Sequence, residues 1–299
     1  MMRALWMSMR LLASLVLAVF VLSVSLVWSV RPTTTKARVG SFSRSRYPKS
    51  FDIEPSSCDV VDQTFRKIYE SGTWASGKVK LASPGHFYYN ATWPHQGRMA
   101  SSGLGSELGV ATENSMKFLV EAIQNYTVVS MIDVPCGDLN WIFDSWTTDS
   151  LDYYLGLDIA RPILAADGKR FAHHSNKVFQ QWDATKCPLP SLLVGQERRH
   201  FDLVHSRDVL QHLPLKQVSS FICNVIRSGA RLFITTTFPQ GMNRNVSHGD
   251  YYQNNLDEEP FSLPAPKVCV PTHPTIEGDL TCLYELHTTV FREYVKYKC

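Results

Sequence analysis

Residues 1–50 contain no acidic side chain, against eight basic ones: Arg3, Arg10, Arg31, Lys36, Arg38, Arg44, Arg46 and Lys49. The formal net charge of +3 over 299 residues therefore hides an asymmetry. The other 249 residues carry 22 basic and 27 acidic groups, a net of −5. That body lacks the clustered Lys and Arg with which a nucleic-acid binder displaces counterions. It also lacks internal repeats and low-complexity tracts, and a hydrophobic content of 44% excludes wholesale disorder. No cysteine pair has zinc spacing and His173-His174 is an isolated doublet, so no metal site is expected. A clear Asp-x-Asp is missing, which argues against a metal-dependent glycosyltransferase. G-x-G-x-x-G is missing too, which argues against a dinucleotide whose pyrophosphate must rest on a helix N-terminus.

The longest apolar stretch is near the start. Leu11 to Val30 is twenty residues without a charge. As a helix at about 1.5 Å per residue it spans roughly 30 Å, the hydrocarbon thickness of a bilayer. Trp6 and Trp28 stand near its ends, where indole rings favour the interface. Residues 1–30 are expected to form a cytosolic tip and a transmembrane signal anchor. The competing reading is a cleaved signal peptide, whose apolar region is shorter, about 7–15 residues, and whose small-x-small exit is poorly matched by Val27-Trp28-Ser29. Basic residues flank both ends, with more after the span, which by itself leaves the body in the cytosol. Sequons at Asn90, Asn125 and Asn245 argue for the lumen. In a secretory lumen some of the seven cysteines would pair, and Cys269 with Cys282 would close a short loop. The expectation is a single-pass glycoprotein of the Golgi or endoplasmic reticulum with a lumenal body.

Residues 31–50 are polar, basic and aperiodic, and read as a flexible stem. Residues 51–127 read as an N-terminal cap region. It holds a helical pattern from Val60 to Tyr69 and an amphipathic helix over 106–124, with Leu108, Met116, Leu119, Val120 and Ile123 as its apolar positions. Residues 128–299 read as one domain. Strand-length apolar runs at 128–134, 153–159, 177–183, 201–206 and 230–238 alternate with helices, including one ending near Phe171 and one at 215–227. This alternation predicts a mostly parallel sheet covered on both faces, an α/β doubly wound fold. A last amphipathic segment, 280–295, is expected to return to the sheet edge. The ligand belongs in the crevice at the carboxyl ends of the strands.

Those ends carry carboxylates. The first strand runs into Asp133-Val-Pro-Cys-Gly-Asp138, the second ends at Asp158, the third at Trp182-Asp183, and the fourth enters Ser206-Arg-Asp-Val-Leu-Gln-His212. A carboxylate ending the second strand suits a pair of ribose hydroxyls. Two acidic groups flanking a turn with a single glycine repel a pyrophosphate but not a cation.

Asp133-Val-Pro-Cys-Gly-Asp-Leu-Asn-Trp141 and Arg207-Asp-Val-Leu-Gln-His-Leu213 resemble the first and fourth motifs of one branch of the class I S-adenosylmethionine-dependent methyltransferases. Ser102-Gly-Leu-Gly-Ser106, Thr236-Thr237-Phe238 and Asn255-Leu256 with Pro260 to Pro266 are similar to further pieces of that branch, in the same order. The resemblance covers roughly residues 70–290. It implies a Rossmann-like seven-stranded methyltransferase sheet and S-adenosyl-L-methionine as cofactor. The implied cofactor-binding set is Asp133, Pro135, Gly137, Asp138, Asp158, Trp182, Asp183, Ser206 and Arg207. Asp133 would face the amino-acid moiety, Asp158 the ribose and Asp183 the adenine amine.

Each has a plain structural alternative. Asp133 would otherwise be a helix N-cap, Gly137 a turn-former and Asp138 a partner of the helix dipole. Cys136 reads as an unpaired, buried small hydrophobe. Methyl transfer to a hydroxyl needs alignment and a base. Asp208 and His212 are the expected catalytic pair, since i,i+4 spacing puts both on one helical face and His212 titrates near neutrality. Arg207 either holds Asp208 or clamps an acidic acceptor. His248, Asp250 and Asn255 are expected to roof the acceptor site, where a glycan on Asn245 would obstruct it. The branch often has Trp-Arg where this chain has Tyr251-Tyr252, a departure that bears on substrate preference. The expected function is a membrane-anchored methyltransferase that O-methylates a glycan or small-molecule acceptor. The alternative is a tethered module that binds cofactor without turnover. Nucleic acid is not an expected partner.

Overall fold

The computed structural model describes residues 52–54, 57–60, 64–74, 101–102, 106, 112–142, 150–273 and 278–299. The expected anchor and stem, Leu108 and the sequon at Asn90 lie outside them. Among the described residues no helix is long and apolar enough to cross a membrane.

Seven strands form the main sheet. In chain order its parallel members are β2 (Ser130–Asp133), β3 (Tyr153–Asp158), β4 (Lys177–Gln181), β7 (Leu203–Ser206) and β8 (Leu232–Thr237). β9 (Val268–Pro271) and β10 (Leu280–Glu285) complete it, and the spatial order is β4-β3-β2-β7-β8-β10-β9. β10 runs antiparallel to both neighbours. Three short strands, β1 (Asp52–Glu54), β5 (Ser191–Val194) and β6 (Glu197–Arg199), make a separate antiparallel sheet. All residues of β2, β3, β7 and β8 are buried, as parallel strands covered on both faces require. Alternation sends Ile132, Leu155 and Val204 into one apolar cluster and Met131, Tyr154 and Leu203 into the other.

The helices are α1 (Thr64–Ser71), α2 (Glu113–Asn125), α3 (Arg161–Arg170), α4 (Leu215–Arg227) and α5 (Thr289–Lys298). α4 buries Val218, Phe221, Ile222 and Val225, one stripe of a 3.6-residue period. Its first N–H, on Leu215, donates to Oδ1 of Asn245 at 3.2 Å, so a distant loop does the work of a cap.

The segment at 280–295 corrects the sequence reading. It is a strand followed by a helix, split at Thr288, whose side chain accepts from the Phe291 N–H. Cys282, Leu283 and Tyr284 are all fully buried, so β10 sits inside the sheet and β9 takes the edge. An amphipathic period misreads such a strand because both of its faces are apolar.

Three disulfides join Cys58 to Cys187, Cys223 to Cys299 and Cys269 to Cys282. Cys136 is the free, buried cysteine. Cys58–Cys187 closes a span of 129 residues and ties the segment carrying β1 and α1 to the chain just after β4.

Candidate active site

The strand order reverses between β2 and β7: from β2 the chain builds outward through β3 and β4, then returns to β7 on the other side. Such a switch point opens a crevice at the carboxyl ends of the strands. A cleft lies there, enclosing about 970 Å³ of space, the open solvent at its mouth included.

Asp133, Pro135, Gly137, Asp158, Trp182, Asp183, Arg207 and Asp208 all line it. Asp133 ends β2 and is buried. Its Oδ2 accepts from the Tyr154 hydroxyl and its Oδ1 meets Nδ1 of His205, both at 2.7 Å. Residues 134–142, which follow Asp133, are turns and not helix, so the N-cap alternative for Asp133 falls away. Asp158 ends β3. Its Oδ2 accepts from the Gly137 N–H at 3.1 Å and its Oδ1 from the Ala160 N–H at 2.8 Å. One carboxylate thus sets the turns after two adjacent strands. Gly137 has φ +57°, and a Cβ there would lie 2.9 Å from Oγ of Ser102. Both the left-handed backbone and the close approach demand glycine.

Asp183 lies two residues beyond β4. Its Oδ1 accepts from the Thr185 N–H and hydroxyl, and its Oδ2 pairs with Lys186 Nζ at 2.8 Å. Burial alone would raise its pKa, but the bonds from Lys186 and Thr185 prevail and hold it below the usual carboxylate value. Trp182 is almost fully buried, and its indole N–H has no partner among the described residues. Cys136 also lines the cleft. Burial first, then the charges of Asp158, Asp167 and Asp133, push its thiol well up, so it stays protonated and inert.

Two expected cofactor ligands stand back from the cleft. Ser206 is fully buried without lining it. The Asp138 carboxylate accepts from the Ser101 N–H at 2.6 Å, the Ser101 hydroxyl at 3.0 Å, the Ser102 N–H at 3.2 Å and the Asn140 N–H at 3.2 Å. Asp138 clamps the 101–102 segment onto the first turn.

Beyond β7 the expected helical face does not exist. Asp208 sits at φ +55°, in the left-handed region that a non-glycine residue adopts only when its surroundings impose it. Between β7 and α4 only Leu210–His212 is helical, as a single 3₁₀ turn. The Asp208 N–H donates to Oγ1 of Thr236 and its carboxylate pairs with Arg207 at 3.1 Å. Arg207, nearly buried, also donates to Oγ of Ser115 and lies over the Trp141 ring at 5.3 Å. Arg207 therefore holds Asp208. His212 is half-buried and outside the cleft lining, against the ring of Trp74 (centroids 4.9 Å apart), which does line it. Nδ1 of His212 meets the Asp250 carbonyl at 2.9 Å. A carbonyl only accepts, so Nδ1 carries the proton and Nε2 the lone pair. Burial lowers the pKa of His212, against the Asp250 hydrogen bond and the charge of Asp208, which raise it.

Of the expected roof, His248 hydrogen-bonds Gln217 at 2.6 Å, and Asp250 holds His212 through its carbonyl. Asn255 is buried in its own loop: its N–H donates to Asn243, its amide to the Pro239 carbonyl, and its Oδ1 accepts from Asp257. Sequence reasoning missed His205, Tyr69 and Trp74. His205 follows directly from register, since it pairs with Asp133 across the β2–β7 ladder. Tyr69 and Trp74 carry no local signal, because only the fold brings α1 over the cleft.

No protein-family model and no curated protein sequence matches the chain. Among solved structures it is similar to magnesium protoporphyrin IX methyltransferase from Synechocystis with bound SAH (13% identity, 57% of this chain and 81% of that one, TM-score 0.44). It is also similar to an S-adenosylmethionine-dependent methyltransferase from Clostridium acetobutylicum (12% identity, 58% and 91%, TM-score 0.42) and to human N-acetylserotonin methyltransferase in complex with SAM (12% identity, 57% and 51%, TM-score 0.42).

Proposed function

We propose that the chain is an S-adenosylmethionine-dependent methyltransferase that O-methylates a glycan or small-molecule acceptor. The observation that carries this reading is the convergence of Asp133, Asp158 and Asp183, from the ends of three adjacent strands, on one cleft whose first turn has no phosphate cradle. The residues fit the cofactor: Asp158 offers acceptors for ribose hydroxyls, Trp182 a buried apolar wall with an orphan N–H, and Asp133 a carboxylate for an ammonium group. When bound, the cofactor supplies a methyl group on a sulfonium that is already a good leaving group. Arg207 fixes Asp208 at the cleft wall, where its carboxylate orients an acceptor hydroxyl. His212, protonated at Nδ1, takes the hydroxyl proton at Nε2. A second reading, a module that binds cofactor without turnover, draws on His212 standing outside the cleft lining.

The test is calorimetry with S-adenosylmethionine followed by transfer of radiolabelled methyl to a panel of glycans and small acceptors. Failure to bind removes the class, and binding without transfer selects the second reading. His212→Ala is expected to lower kcat by about 10²- to 10³-fold and to leave cofactor affinity intact. The neutral imidazole is the active form, so the rate falls as pH drops through the lowered His212 pKa. The wild-type acid limb is expected below about pH 6.5, the ordinary histidine value, and to vanish in His212→Ala.

We also propose a single-pass protein of the Golgi or endoplasmic reticulum with its body in the lumen. Three disulfides support an oxidising compartment. Asn125, the exposed last residue of α2, is open to glycosylation. Peptide-N-glycosidase is expected to shift the mobility of the cell-expressed chain. Loss of that shift in Asn90→Gln with Asn125→Gln would locate the glycans, and an unshifted wild-type chain would place the body in the cytosol.

A further inference from the structure

His205 lies in β7 directly across from Asp133 in β2. Its backbone carbonyl accepts from the Val134 N–H at 2.9 Å, so the ladder fixes where the ring starts. Its Nδ1 meets Oδ1 of Asp133 at 2.7 Å, and the Trp141 ring packs edge to face against it, centroids 5.8 Å apart. Both side chains of the His205–Asp133 pair are 3% exposed, and both residues line the cleft. Burying an imidazole costs free energy unless its nitrogens are bonded. Nδ1 has its partner. Among the described residues Nε2 has none.

The Asp133 carboxylate also accepts from the Tyr154 hydroxyl at 2.7 Å. Burial first, then the Asp133 charge, push the Tyr154 phenol well up, so that hydroxyl keeps its proton and donates it. A carboxylate has only acceptors to offer Nδ1. In the neutral ring Nδ1 therefore carries the proton and Nε2 the lone pair. The short bond behind it polarises the ring and strengthens Nε2 as an acceptor.

We propose that Nε2 of His205 accepts a hydrogen bond from the α-ammonium group of S-adenosylmethionine and, with the Asp133 carboxylate, forms the seat for that group. This rests on the methyltransferase reading and adds a binding residue to it. Strand order places the group. The strands lie β4-β3-β2-β7, about 4.8 Å apart. Asp183 follows β4 for the adenine amine, and Asp158 ends β3 for the ribose. A cofactor laid across these ends brings its amino-acid end to β2 and β7, where Asp133 and His205 stand. An ammonium brings three N–H donors and a positive charge. Asp133 alone is half-spent, since each of its oxygens already holds a 2.7 Å bond. The lone pair of Nε2 is the next acceptor. The cofactor's own carboxylate does not suit that lone pair, because acceptor faces acceptor.

The test is calorimetry on the full chain purified in detergent, at about pH 8, above the ordinary histidine value. Two ligands are compared: S-adenosylhomocysteine and its desamino analogue, in which hydrogen replaces the amino group. Two substitutions split the functions of the ring. His205→Asn keeps a donor near the Nδ1 position for Asp133 and removes the acceptor at Nε2. His205→Gln puts an acceptor oxygen near the Nε2 position and gives up the Asp133 bond. His205→Asn is expected to weaken S-adenosylhomocysteine by about tenfold or more and the desamino analogue by less than about threefold. His205→Gln is expected to stay within about threefold of wild type for S-adenosylhomocysteine. Equal weakening of both ligands in His205→Asn overturns the assignment, since His205 would then act only through the fold or through Asp133. So does a His205→Gln variant that binds more weakly than His205→Asn. A measurement without substitution guards against variants that do not fold. In wild-type chain carrying isotope-labelled histidine, the Nε2 resonance of His205 is expected to move on adding S-adenosylhomocysteine and to stay put with the desamino analogue. An Nε2 resonance that moves with neither, while S-adenosylhomocysteine binds, overturns the assignment as well. A wild-type chain that binds neither ligand is a different result, and it would remove the underlying methyltransferase reading instead.

Discussion

Asp158→Ala is expected to reduce affinity for S-adenosylmethionine by at least about a hundredfold, near 3 kcal/mol. Hydrogen bonds to a charged group contribute about 1.5–3 kcal/mol each, and the proposed ribose contact uses two. The substitution also strips the acceptor from the Gly137 and Ala160 N–H groups, so the turns after β2 and β3 lose the side chain that sets their spacing. Asp158→Asn keeps one acceptor oxygen and belongs between wild type and alanine. Calorimetry gives the affinities, and a melting curve separates lost binding from lost fold. An alanine variant that binds within about threefold of wild type would refute the ribose role.

The second large effect concerns a covalent tie. Cys58→Ser with Cys187→Ser is expected to lower stability by about 4–5 kcal/mol, the loop-closure value for a span above a hundred residues. At about 2–4 °C per kcal/mol this is a fall of roughly 8–20 °C in Tm. Cofactor affinity should fall with it. The segment so tied carries Phe65, Tyr69 and Trp74 into the cleft, and its strand β1 pairs with β5 over only three residues. Cys269→Ser with Cys282→Ser is the control. It opens a span of 13 residues at the β9–β10 edge, worth about 3 kcal/mol, and leaves the cleft untouched. Its Tm drops but its affinity holds. Equal loss of affinity in both variants would mean that general loosening, and not the position of α1, is responsible.

Much of the frame was legible because strand and helix periods differ and because strand ends collect functional side chains. The apolar runs at 128–134, 153–159, 177–183, 201–206 and 230–238 each contain an observed strand, and α4 spans the expected 215–227. Asp133, Asp158 and Asp183 follow from the same logic, being polar groups at the ends of buried strands. What escaped depends on contacts distant in sequence. β1 is three residues long and finds β5 some 140 positions later, which no local pattern records. His205 reads as one more strand residue until register sets it beside Asp133. The i,i+4 argument for Asp208 and His212 failed for a physical reason: it assumed continuous helix through a residue that the fold holds at φ +55°.

The Cys58–Cys187 bond also has a clock. At about 5–20 residues per second, synthesis delivers Cys187 roughly 6 to 26 s after Cys58. Cys136 emerges between them, and it is the one thiol that ends without a partner. For the last part of that interval, the 187 − 136 = 51 residues from Cys136 to Cys187 or about 3 to 10 s, the wrong partner is available and the right one does not exist. Burial of Cys136 within the first turn, beside β3, would therefore favour the correct bond as well as fill the core.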